Sequence, residues 1–164
     1  MAHELQTAHV FGADIDPSAG WRLVDWCLEA GADEFAVAGI GTGDSNAEAF
    51  RAFDAVADPF RRPSQPRRHL SGPSASDLVF ATDLWALNAI TLLALRVAFP
   101  RGIFDYYPGA DAWFEDVEIY RKGELLLGVI THEQEGVLRI SNGERADLLS
   151  RGFVLREAGK WVDY

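Results

Sequence analysis

Apolar positions along the chain change their period several times, and each change marks an element. His9 to Ile15 is a short apolar stretch that reads as a first strand. Asp16-Pro17 then signals a helix start, with Asp16 as the N-cap and Pro17 at the first helical position. Trp21, Val24 and Leu28 share one face at three- and four-residue spacing, Leu23, Trp26 and Cys27 lie beside them, and Gly31 stands where a left-handed C-terminal cap belongs. Glu34 to Ile40 reads as a second strand, apolar enough to be covered on both faces. A second helix carries Phe50, Phe53, Val56 and Ala57, entered through Ser45 and Glu48 at capping-box spacing and closed by Pro59.

The longest apolar run is Asp83 to Phe99, with no charged residue between Leu84 and Leu95. It predicts a central helix buried on several faces, capped by Thr82 or Asp83, with Asn88 as an enclosed polar group. Leu78 to Ala81 is either a short strand or that helix's first turn. The uncharged run falls short of the roughly 20 residues a membrane span needs, so it predicts a core helix and not an anchor. Before it, Arg61 to Ser76 holds three prolines, four arginines and no acid, the composition of an exposed linker. After it, Ile103 to Tyr107 is a strand candidate ending in the turn Pro108-Gly109.

From there the pattern becomes a meander. Val117 and Ile119 alternate with Asp116 and Glu118, Lys122-Gly123 supplies a turn, and Leu125 to Thr131 is apolar enough to be a central strand, followed by Val137 to Ile140. Ser141 and Glu144 form a second capping-box pair before a short helix with Ala146 and Leu149 inward and Gly152 after it. Phe153 to Arg156 and Trp161 to Tyr164 would close a sheet edge as a last hairpin. The expected fold is therefore one α+β domain: an N-terminal strand-helix-strand-helix portion, the linker, the central buried helix, and a C-terminal antiparallel meander with one short helix.

Composition narrows the function classes. With 164 residues and 48% hydrophobic content, one sizeable core is expected. The net charge of -10 argues against nucleic acid or anionic lipid as partners and favours either simple solubility or a basic protein partner. A single cysteine excludes an internal disulfide, and the first residues show no basic and apolar leader, so a cytoplasmic location is expected.

Two candidate chemistries follow. Gly39, Gly41 and Gly43, with Asp44 and Ser45, stand between a strand and a helix, where backbone amides can approach a phosphate. FAVAGIGTGDS resembles the first motif of class I methyltransferases, with Val37 in the place where that family usually carries an acid. The resemblance implies a small S-adenosylmethionine- or nucleotide-binding enzyme. Arg61, Arg62, Arg67 and Arg68 form a local basic patch able to clamp an anion. No metal site is expected: His132 to Glu135 lacks the second histidine of a zincin, position 136 being glycine, and His3, His9, His69 and His132 are scattered. Cys27, on a helix face beside Trp26 and Leu28, reads as a small core residue.

The stretch Ile103 to Tyr120 is rich in acids and aromatic rings and has no Lys or Arg. Aromatic anchors among carboxylates suit docking into a basic cleft, because rings bury area at low entropic cost and carboxylates steer a basic partner. The leading expectation is a non-enzymatic acidic binding module of the immunity or inhibitor type, occluding a basic partner such as a bacterial toxin. Its surface would be Asp105, Tyr106, Tyr107, Asp111, Trp113, Glu115 and Asp116, with no cofactor and no catalytic residue. The glycine-loop enzyme is the alternative, and a structural subunit using the same aromatic surface is a third reading.

Overall fold

The computed structural model describes residues 5–41, 48–68, 79–106 and 112–157. Asp16 caps the first helix as its sequence requires, its side chain accepting from the backbone N–H of Ser18 and Ala19 at 2.9 and 3.0 Å. That helix, α1 (Pro17–Glu29), follows strand β1 (Gln6–Phe11) and a 3-10 turn, Gly12–Asp14. The first strand thus begins and ends earlier than His9 to Ile15, the chain having to turn at Gly12 to reach the cap. Gly31 takes φ +88°, the left-handed conformation anticipated for it. There follow β2 (Glu34–Gly41), α2 (Glu48–Ala57), β3 (Arg61–Arg68), β4 (Val79–Ala86), α3 (Ala89–Ala98), β5 (Ala112–Arg121), β6 (Glu124–Ile130), β7 (Glu135–Ile140), α4 (Asn142–Ser150) and β8 (Arg156–Glu157).

The strands form one sheet in the order β3-β4-β2-β5-β6-β7-β1-β8, with every described pairing antiparallel. Consecutive residues divide its two faces: Phe35, Trp85 and Ile119 enter the main core, while their neighbours Ala36, Leu84 and Tyr120 form a small separate cluster. Each of the four described helices contributes to the main core, through Leu23, Val24 and Cys27 of α1, Phe53 of α2, Leu95 of α3 and Leu148 of α4. The α+β class, the single domain and the C-terminal meander stand as the sequence predicts. Among the described residues, no helix is long and apolar enough to cross a membrane.

Several expectations are corrected. The apolar run Asp83 to Phe99 is not one helix, because its first part belongs to β4. An uninterrupted apolar run suits a buried strand as well as a helix, and the break comes at Asn88. Asn88 is extended (φ -152°, ψ 179°), and its side chain accepts from the N–H of Ile90 and Thr91 at 2.9 and 3.1 Å. Thr91 Oγ1 in turn accepts from the N–H of Asn88 at 2.9 Å, completing a capping box. Nor is the helix covered all round: Thr91, Ala94 and Leu95 are buried, whereas Ile90, Leu93 and Val97 are 51, 63 and 72% exposed.

The supposed linker is strand β3 over Arg61–Arg68, paired with β4 at the end of the sheet. Proline is tolerated there because an edge strand leaves one row of N–H positions unpaired. The rest of that segment, 69–78, lies outside the described residues. Ile103 and Phe104 form a turn and not a strand, plugging the core where Gly102 N–H bonds Phe99 O at 3.0 Å and Asp105 N–H bonds Gly102 O at 3.2 Å. On α4 the inward residue is Leu148; Ala146 and Leu149 face out. Of the expected last hairpin, only Arg156–Glu157 is strand, pairing with β1; Trp161 to Tyr164 lie outside the described residues.

Candidate functional site

Helices α2 and α3 lie side by side on the sheet, and the space between them stays open. A groove of about 390 Å³ runs there, lined by Ala52 and Val56 of α2, Leu93 and Val97 of α3, and Trp113 and Phe114 of β5. Its floor is aromatic. The rings of Phe53 and Phe114 are 4.9 Å apart and those of Phe99 and Phe114 6.5 Å. Its mouth is polar, formed by Arg101 and Asp105, whose charged groups approach to 3.8 Å one helical turn apart in sequence.

The volume falls in the range of sites that accept a ligand or a partner's side chain, and its walls carry the exposed apolar side chains that a lone domain leaves uncovered least readily. The amphipathic logic of α2 and α3 explains the walls. Each helix turns one apolar face to the sheet, but α3 is apolar on its outer face too, so Leu93 and Val97 border the groove without filling it.

The acidic-aromatic residues do not form one surface. Asp105 and Trp113 meet at the groove. Tyr106 is exposed beside it, and Tyr107 and Asp111 lie outside the described residues. Glu115 is drawn in indirectly, its Oε1 accepting the indole N–H of Trp113 at 2.6 Å. Asp116 is turned away from the groove. A bulge in β5, where Asp116 and Val117 oppose the single residue Val37 of β2, puts Asp116 at φ +52°. There its N–H donates to Thr131 Oγ1 at 2.8 Å, and its Oδ1 accepts the N–H of Thr131 at 2.9 Å.

Of the glycine-loop residues, Gly39 and Gly41 are not loop at all but sit in β2, paired with Phe114 and Ala112 of β5. The reason for glycine at position 39 is close approach: a Cβ there would stand 3.1 Å from Phe50 Cε1. Gly43, Asp44 and Ser45 lie outside the described residues. Both neighbours of β2 are antiparallel, unlike the parallel strands beside a dinucleotide cradle. Arg61 of the basic patch is engaged by acids, with Asp58 and Asp83 each at 2.7 Å and its guanidinium 5.1 Å from the Trp85 ring. Cys27 is buried, and burial pushes its thiol far above the ordinary range, which removes it as a nucleophile.

Sequence reasoning missed Val56, Leu93 and Val97. An apolar residue read along the chain counts as core, and which of them stay exposed depends on the elements that stack beside α2 and α3. No family model matches the chain, and no curated protein or solved structure matches it. Function is therefore argued from the site's own chemistry.

Proposed function

We propose that this chain is a protein-binding module that seats an amphipathic segment of a basic partner in the groove between α2 and α3, as an immunity- or inhibitor-type protein would occlude a toxin. The observation that carries this reading is the open apolar groove bounded by Leu93, Val97 and Trp113, with Asp105 at its mouth. An apolar anchor of the partner would displace water from the aromatic floor, which is where binding energy concentrates in protein interfaces. A basic residue beside that anchor would meet Asp105. The net charge of -10 would steer such a partner in and raise its association rate.

The test is a photo-reactive phenylalanine analogue placed at Leu93 or Val97, cross-linked in the native host. The expected adduct is a basic protein. Purified, it should bind more weakly as salt rises, because the steering charges are screened. Leu93→Asp and Asp105→Asn should each weaken binding by about tenfold or more, about 1.4 kcal/mol. A captured partner indifferent to both substitutions would refute the reading, and an adduct with a second copy of the chain would replace it with the structural-subunit reading.

A further inference from the structure

We propose that Glu115, Asp116 and His132 form a binding site for a divalent first-row transition metal ion. One ligand atom from each lies within 4.8 Å of the others. The residues come from two places in the chain, brought together by the β5 bulge and the 3-10 turn Thr131–Glu133 that follows β6. The Asp116–Thr131 hydrogen bonds lock bulge and turn together, and so place His132 beside the two carboxylates.

Charge supplies an independent observation. Several acids elsewhere are matched by arginine: Asp14 by Arg156, Asp25 by Arg96, Glu29 by Arg151, Glu144 by Arg121. Among the described residues no Lys or Arg stands against Glu115 or Asp116, although the two are adjacent and half-buried. Their neighbours are instead neutral donors, the Trp113 indole on Glu115 Oε1 and the Thr131 amide on Asp116 Oδ1. Such donors orient a carboxylate and leave its second oxygen to a cation, as outer-shell groups do in metal sites.

An imidazole with two carboxylates selects Zn2+, Mn2+ or Co2+ over Ca2+ and Mg2+, which prefer an all-oxygen shell. Ligand atoms of a tetrahedral zinc shell stand about 3.4 Å apart for bonds of about 2.1 Å. Closing a separation of 4.8 Å to that value needs about 1.4 Å of movement, toward which the exposed ring of His132 can swing. Three protein ligands leave a position for water or for a donor from a partner.

Calorimetric titration of the chelator-stripped full chain with ZnCl2 tests the site, with CaCl2 and MgCl2 in parallel. One zinc ion per chain is expected, with no saturable heat from the alkaline-earth ions, and Co2+ should give the visible bands of a tetrahedral or five-coordinate centre. His132→Ala, on an exposed side chain, should weaken zinc binding by about tenfold or more. Asp116→Asn should do the same while keeping both the left-handed conformation and the acceptor for Thr131, and Glu124→Gln should change nothing. Absence of stoichiometric binding, or an affinity unaltered by both His132→Ala and Asp116→Asn, would overturn the proposal.

Discussion

The indole N–H of Trp26 donates to Asp147 Oδ2 at 2.8 Å, fastening α1 to α4 across 121 positions of the chain. Arg151 Nε reaches the same oxygen at 3.1 Å, and its Nη1 bonds Glu29 Oε2 at 2.7 Å. The Trp26 hydrogen bond, followed by the one from Arg151, holds the Asp147 carboxyl below the usual carboxylate range. A carboxyl depressed on folding adds stability above its unfolded value and loses it as pH falls through the folded value. The contribution is therefore complete above about pH 3.8 and declines below it. Asp147→Asn keeps an acceptor but cannot titrate, so its stability deficit against the parent should shrink between about pH 6 and about pH 3. Urea denaturation at the two pH values measures this, and a constant deficit would contradict it.

His9 and Glu135 are hydrogen-bonded to each other across β1 and β7, and both side chains are buried. Deleting one partner leaves the other enclosed without its bond, whereas deleting both removes the need for it. Glu135→Ala is expected to cost about 1–3 kcal/mol. The double substitution with His9→Ala should cost less than the two single losses added together. A denaturant double-mutant cycle checks this, and strict additivity would show that the pair is not coupled.

Two glycines should respond oppositely to alanine. A Cβ on Gly136 would meet Phe104 Cε1 and Cζ at 3.0 Å, and the same ring lies so near Gly20 that a Cβ there would stand 3.3 Å from its Cδ2. Cε1 and Cζ belong to a buried aromatic ring, so Gly136→Ala should destabilise by about 1–3 kcal/mol through overpacking. At Gly143, in the first turn of α4, the nearest atom to an added Cβ is 4.0 Å away. Gly143→Ala should be neutral or stabilise by up to about 1 kcal/mol, because it restricts the unfolded chain at no steric cost. Melting temperatures of the two variants should move in different directions or differ clearly in size.

Elements whose ends are chemically marked were legible. Asp16-Pro17, Gly31, the turn Lys122-Gly123 with both residues at positive φ, and the Ser141–Glu144 capping box each do in the fold what their residue types favour. The apolar run after position 83 was not legible as two elements, because strand and helix were both apolar. Asn88, the one residue that divides them, looks like any polar group until its side chain is seen bonded to Ile90 and Thr91. Edge strand β3 was hidden by its own prolines, which argue against a central strand but not against an edge. At the groove, Asp105 and Trp113 could be found from composition. Leu93 and Val97 could not, since exposure depends on which elements stack beside α3 and an apolar residue read in one dimension counts as core. The Glu115–Asp116–His132 cluster needed the β5 bulge, which no spacing along the chain announces.

Helix α3 offers the sharpest contrast between neighbouring residues of the same chemistry. Leu95 is fully buried in the main core, and truncating it leaves a cavity that the sheet beneath cannot fill; Leu95→Ala should cost about 2–5 kcal/mol. Leu93, two residues earlier, is 63% exposed on the groove wall. A charge there loses little packing, so Leu93→Asp should change stability by no more than about 0.5 kcal/mol while removing the apolar wall that the proposed partner needs. The pair separates the groove's role in folding from its role in binding. If Leu93→Asp unfolded the chain as Leu95→Ala is expected to weaken it, the outer face of α3 would belong to the core, and the groove would not be a surface held open for a partner. Equilibrium denaturation of both variants, beside the cross-linking at position 93, decides between the two.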